Sequence, residues 1–139
     1  MATKTARRTR SNVASADDLC ADVFDRNCPS RSVMEHVVSK WGTLALLALA
    51  DGSFRFNALR RRVDGVSEKM LSKSLQRLEN DGLVTRDVLS AIPPRVEYSL
   101  TDLGRRIAEQ LRTLIDVVEG ATPEVVQARA ASAGGSSRA

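Results

Sequence analysis

Between Ser67 and Leu100 the periodicity of the chain changes once, from helical to strand-like, and the change falls at Gly82. Before it, Met70, Leu71, Leu75 and Leu78 fall on one side at helical spacing, while Lys69, Ser72, Lys73, Gln76 and Asn80 fall on the other. Ser67 predicts an N-cap, and Val66 before it is placed to pack on Leu71 as a hydrophobic staple. Glu68 suits the positive end of the helix dipole, and Gly82 suits a left-handed C-terminal cap. A helix over residues 67–81 is thus delimited at both ends. After Gly82, Val84, Arg86 and Val88 alternate with Leu83, Thr85, Asp87 and Leu89, and a second strand follows over residues 96–100. The connector, residues 90–95, reads as too long for a two-residue hairpin turn, and Pro93 and Pro94 stiffen it without supplying backbone donors.

Upstream, Phe56, Leu59 and Val63 recur at helical spacing, and Asp64-Gly65-Val66 makes a three-residue turn into Ser67. Two short helices around such a turn are a helix-turn-helix, and the hairpin after them is its wing. The outward face of the second helix carries cationic and amide side chains, which suit phosphates and base edges in a major groove. A solvated helix face with ordinary charges has the same composition. Arg60, Arg61 and Arg62 flank the turn, where the first helix of this motif crosses a DNA backbone, and Arg55 just before them is a further phosphate candidate. Arg95, at the base of the wing, is placed either for a minor groove or phosphate or as plain surface.

From about Cys28 to about Glu119 the chain resembles the HxlR-type winged helix-turn-helix transcriptional regulators of bacteria. The resemblance rests on Cys28-Pro29, Lys40-Trp41-Gly42, Arg55-Phe56 with Leu59-Arg60, Ser67 with Lys69-Met70-Leu71, and Leu78-Glu79. It continues through Asp81-Gly82-Leu83-Val84, Pro93-Pro94 with Val96 to Thr101, and Gly104. It implies a mainly α fold with a small β-wing and added N-terminal and long C-terminal dimerisation helices. It also implies a cytoplasmic homodimer, a repressor or autoregulator, that binds a palindromic operator in double-stranded DNA. On this reading Arg55, Arg60, Arg61, Ser67, Lys69, Ser72, Lys73, Gln76, Arg77 and Arg95 are the DNA-contact candidates. A small-molecule effector is compatible with it, but no residue signature names one.

The balance of 21 basic to 17 acidic residues in a chain of 139 is only mildly positive. Clustering of the cations, at Lys4, Arg7, Arg8 and Arg10 and again at the motif, matters more for nucleic-acid binding than the total. Residues 1–14 read as a disordered basic arm, 15–127 as the winged domain with its dimerisation helices, and 128–139 as a flexible tail of small polar residues. The longest apolar run, Leu44 to Ala50, stops after seven residues, so no membrane partner is expected, and no apolar region follows the basic start to direct secretion. A soluble, intracellular protein is expected.

Further helices are predicted from Pro29, with Val33, Met34, Val37 and Val38, and over residues 40–50 around a core Trp41, Leu44, Leu47 and Leu49. Thr101 predicts the cap of a helix through Glu119, stopped by Gly120 and Pro123, with an apolar stripe of Leu103, Ile107, Leu111, Leu114 and Val118. At roughly 1.5 Å per residue that helix is about 27 Å long, more than a small winged domain needs to cover itself. Its stripe, joined by Leu19, Val23 and Phe24, is the expected dimer surface, and a two-fold dimer would set the reading helices about 34 to 36 Å apart.

Two cysteines, Cys20 and Cys28, carry the remaining chemistry. A structural disulfide is not expected in a cytosolic protein. Cys28 sits at a helix N-terminus with Arg26 and Arg31 near in sequence, an environment that favours thiolate, and in some members of the resembled family a cysteine at this Cys-Pro position senses oxidants. The other reading is a buried small residue capping the helix. Cys20, Cys28 and the single histidine, His36, are evenly spaced, with Asp17 and Asp18 nearby, but the spacing is not that of a zinc site, and His36 reads as an exposed helix residue. No metal or cofactor is expected. The chain also lacks a glycine-rich phosphate loop and a nucleophile elbow, so no enzyme is expected. The alternative function is a winged helix that binds proteins rather than DNA, and such a module would present apolar or acidic residues where Lys69, Lys73 and Gln76 stand.

Overall fold

Leu71, Leu75 and Leu78, three residues of one helical stripe, are almost completely buried, and the rest of the fold is assembled on them. The computed structural model describes residues 20–136. Among these it has six helices and three strands. In chain order they are α1 (Pro29–Val37), α2 (Lys40–Leu49), β1 (Phe54–Arg55), α3 (Phe56–Arg62), α4 (Glu68–Asn80), β2 (Val84–Ala91), β3 (Pro94–Leu100), α5 (Asp102–Gly120) and α6 (Thr122–Ser136). Mainly helical with a small β-wing, this is the winged helix-turn-helix that the sequence predicts. The expected basic arm and Leu19 lie outside the described residues.

Leu46 of α2, Leu59 of α3 and Leu83 before β2 close the core around the α4 stripe. The caps form as the sequence foretells: the Ser67 hydroxyl accepts from the Met70 N–H at 3.1 Å, and Val66 is buried with Leu71 as the staple requires. Gly65 and Gly82, on either side of α4, take φ of 91° and 81°, the left-handed region that glycine enters at no steric cost. Met70 departs from expectation, being 43% exposed. It lies about 100° round the helix from Leu71, at the edge of the buried stripe rather than within it. Trp41 packs on the core only in part, with the Lys40 ammonium 4.4 Å from its ring centroid.

The wing is tighter than the sequence suggests. β2 and β3 pair as far as Ala91 opposite Pro94, so the tip is the two-residue turn Ile92-Pro93, whose peptide bond is cis. An irregularity between Val88 and Ser90 leaves Leu89 without a partner, which breaks the period-2 pattern from which the strand ends are read. Pro94 starts β3, a position where a strand tolerates a missing donor. A third strand, the two-residue β1, pairs with β3 on its other side and gives the sheet order β1-β3-β2. Two residues carry no readable alternation.

Thr101 caps α5, accepting from the Gly104 N–H at 3.0 Å while donating to the Gly82 carbonyl at 2.7 Å. Gly104 lies directly on the backbone of Leu83: a Cβ there would come within 2.0 Å of the Leu83 carbonyl oxygen. α5 ends at Gly120, as foreseen. The segment read as a flexible tail from residue 128 is instead α6, helical to Ser136. Ala128, Ala130, Ala131 and Ala133 have the highest helix propensity of any residue type, and they outweigh the glycines and serines in this fold.

Candidate nucleic-acid interface

α3, the turn and α4 present a row of cations at the protein surface. Arg55 is the N-cap of α3, and Arg60, Arg61 and Arg62 fill its last turn, all exposed. Arg60 is tethered by a 3.5 Å hydrogen bond from Nε to the Val66 carbonyl, which ties it across the turn. On α4, Lys69, Ser72, Lys73, Gln76 and Arg77 are all exposed. Among the described residues neither these α4 cations nor Arg61 and Arg62 make an ion pair. Lys69 and Lys73 face outward, and Gln76 lies between Lys69 and the Ser72 flank, at the edge of the outward face. Ser72 and Arg77, five residues apart, lie about 140° from each other around the helix, so they occupy opposite flanks. Ser67, also exposed, accepts the Met70 N–H as the helix cap.

The wing does not bring all of its candidates to this face. Arg86 stands opposite Tyr98, Tyr98 opposite Phe54, and Val88 opposite Val96, so these residues share the sheet face turned toward α3 and α4. Arg55 lies in the alternate row with Glu97 and Asp87, and strand alternation sets Arg95 with Glu97, away from α4. A cleft of about 320 Å³ between α4 and the sheet is lined by Ser72, Gln76, Glu79, Arg86 and Tyr98. Sequence reading did not single out Arg86 or Tyr98. The available signal was an arginine between Val84 and Val88 on a strand face otherwise apolar.

This arrangement has close counterparts. Residues 36–125 match the HxlR-like helix-turn-helix family, a span that contains α2 to α5 and the whole wing. The chain belongs to the HxlR-like family. The HTH-type transcriptional regulator YtfH of Escherichia coli (strain K12), itself uncharacterized, is 50% identical over 108 residues, covering 78% of this chain and 86% of the relative. The solved structure of ytfH from Salmonella typhimurium is 49% identical and superposes with a TM-score of 0.73, covering 78% of this chain and 97% of that one. The redox regulator HypR in its oxidised form is 34% identical with a TM-score of 0.61, over 67% of this chain and 96% of that one. The protein is thus a transcriptional regulator of the helix-turn-helix type and not an enzyme. Among the described residues no helix is long and apolar enough to cross a membrane.

In this HxlR-like chain the N-terminal cysteines differ from expectation. Cys20 and Cys28 form a disulfide, with Cα atoms 5.3 Å apart. Turns at residues 22–25 and 25–28, closed by Asp25 N–H to Asp22 carbonyl at 3.1 Å and Cys28 N–H to Asp25 carbonyl at 3.0 Å, fold the eight-residue span back on itself. The expectation against a disulfide rested on the reducing environment of a cytosol, and these turns bring the two cysteines together regardless. Arg31, expected beside the Cys28 sulfur, donates to Glu35 at 2.8 Å and to the carbonyls of Val23 and Phe24. Cys28 is buried at the N-cap of α1. The potential ligand atoms of Cys20, Asp25 and Cys28 lie within 4.8 Å of one another, but each sulfur already bonds the other. His36 is not a free surface residue. Its Nδ1 meets an Asp81 carboxylate oxygen, a contact suited to an Nδ1–H donor because a carboxylate accepts. The last turn of α1 is thereby joined to the C-cap of α4.

The residues expected at a dimer surface are not all free to make one. Leu111 is 7% exposed and packs in the protein's own core, with Ile107 partly buried beside it. Leu103, Leu114 and Val118 are exposed on α5, as is Val117, which was not foreseen. Val23 and Phe24 are exposed as well.

Proposed function

We propose that the protein is a sequence-specific DNA-binding regulator, a repressor or autoregulator, that acts as a homodimer on a palindromic operator with α4 in the major groove. The observation that carries this reading is the outward face of α4, where Lys69, Lys73 and Gln76 stand without a carboxylate partner among the described residues. A partly unpaired cationic helix attracts phosphate, and its amide and ammonium groups suit base edges. Homodimerisation is supported by Leu114, Val117 and Val118, an apolar strip on the distal half of α5. The test is fluorescence-anisotropy titration, at several salt concentrations, of DNA from upstream of the protein's own and neighbouring genes against random duplex. Preferential binding that weakens steeply with salt supports the reading. Equal, weak binding to every duplex would reject it.

Redox control of that binding is part of the proposal. Two thiols, Cys20 and Cys28, give up two electrons and two protons to a peroxide, which leaves as water, and the sulfurs join. Two observations support a connection to DNA. Cys28 caps α1, and the far end of α1 grips the C-cap of α4 through His36 and Asp81. HypR, solved in oxidised and reduced forms, is named a redox regulator. Cys28→Ser is expected to abolish any peroxide effect on operator binding, and a mutant that still responds like wild type would end the redox reading.

A further inference from the structure

Arg86 and Tyr98 form the floor of the cleft beside α4, and the groove they line continues past Ser72 toward Phe56. Two adjoining hollows, of about 320 Å³ and 270 Å³, share Ser72, Arg86 and Tyr98. Their construction is fixed by the fold. Arg86 and Tyr98 are directly opposed across β2 and β3, and the Tyr98 ring is steadied by Phe56, with centroids 6.5 Å apart. Arg86 is exposed and, among the described residues, makes neither an ion pair nor a side-chain hydrogen bond, although Glu79 lines the same hollow.

The chemistry of this lining suits an oxyanion. A guanidinium offers five donors, Ser72 and Tyr98 offer hydroxyls, and Gln76 offers an amide. Two carboxylates bracket the site along the helix: Glu68 in the first turn of α4 and Glu79 in the last, each a turn or more from Ser72. Both oppose an anion at the ends of the groove, so the attraction there comes from Arg86 alone and Glu79 works against it. A helix with its side chains is about 10 to 12 Å across and the major groove about 12 Å wide, so the flanks of a helix lying there meet the two phosphate walls. The Ser72 flank is the one that opens into this cleft.

We propose that the cleft is a phosphodiester subsite: one phosphate of the DNA strand beside α4 seats between Ser72 and Tyr98, with Arg86 supplying the charge. The inference rests on α4 entering the major groove. It adds a contact from the body of the sheet, distinct from the α3 arginines and the wing tip, and makes Arg86 a sequence-independent anchor that sets how deeply α4 sits.

The test compares wild type, Arg86→Ala, Arg86→Lys and Glu79→Gln on random duplex and on DNA from upstream of the protein's own gene. Helical content measured by circular dichroism serves as the folding control. Arg86→Ala is expected to weaken both DNAs by the same factor, about tenfold, and to lower the salt slope by about 1. Arg86→Lys restores the slope, and Glu79→Gln tightens both DNAs. Replacing phosphates one at a time by neutral methylphosphonate is expected to reveal one position per half-site that costs wild type affinity and costs Arg86→Ala nothing. A wild type that prefers its upstream DNA, alongside an Arg86→Ala variant with unchanged slope and scan, overturns this subsite while leaving the regulator reading intact. A wild type without preference for any duplex overturns both.

Discussion

α4 and α5 are both amphipathic helices with exposed cations, yet among the described residues two of the three α5 arginines are paired within their own helix, Arg106 being the exception, and none of the α4 cations is. On α5, Arg105 donates to Asp102 at 2.7 Å, and Arg112 donates to Asp116 at 3.1 Å and Glu119 at 3.2 Å. On α4, Lys69, Lys73 and Arg77 have no such neighbours among the described residues, and the acidic Glu68 and Glu79 lie off the outward stripe. Intrahelical pairs of this exposed kind contribute at most about 1 kcal/mol each, so pairing on α5 does little for stability. What it does is cancel field. A surface whose charges are answered from within its own helix exerts little pull on a distant polyanion, whereas an unanswered one does. The same two helices differ in their apolar residues: α5 exposes Leu114, Val117 and Val118, while α4 exposes only Met70. Under the proposed function, the α4 face meets a charged partner and the α5 face an apolar one.

The largest expected effect comes from charging the apolar strip. Leu114→Glu with Val118→Glu should convert a dimer to monomer in light scattering and lower operator affinity by about 100-fold or more, because two linked half-sites become independent. A monomeric wild type, or a dimeric double mutant, would show that α5 is not the interface. Next in size, Lys73→Ala or Gln76→Ala should cost about 1 to 3 kcal/mol on the operator and little on random DNA. Arg60→Ala should weaken every duplex alike and reduce the salt slope by about 1. If all three variants lose affinity equally on both DNAs, outward α4 and the turn do not divide the work between reading and anchoring. The smallest effect belongs to α5: Arg112→Ala should shift unfolding by no more than about 1 kcal/mol and leave DNA affinity unchanged. A marked loss of DNA binding there would erase the contrast between the helices.

α4 was legible because its signals are local and agree: a serine cap, a staple, a leucine stripe and a glycine stop all lie within residues 66–82. The wing was legible as a wing but not at its tip, since Leu89 interrupts the alternation and β1 is two residues long. His36 and Asp81 are 45 residues apart, and nothing in either neighbourhood announces their contact. Leu111 and Leu114 sit on one stripe in sequence, but only the packed fold shows that the first belongs to the protein's own core and the second to its surface. Arg86 was visible as a cation among valines, and its meaning appeared only when the sheet brought it beside Ser72 and Tyr98.

Gly104 rests against Leu83 with no room for a methyl group, so the long α5 and the first strand of the wing leave from a single fixed joint. In a dimer formed through α5, that joint acts as a ruler. The distance between the two reading helices would be set where α5 meets β2, while the bases read would be set on the outward side of α4. Half-site spacing and half-site sequence would then be separable properties, and relatives could diverge in what they read while keeping the same stride along DNA.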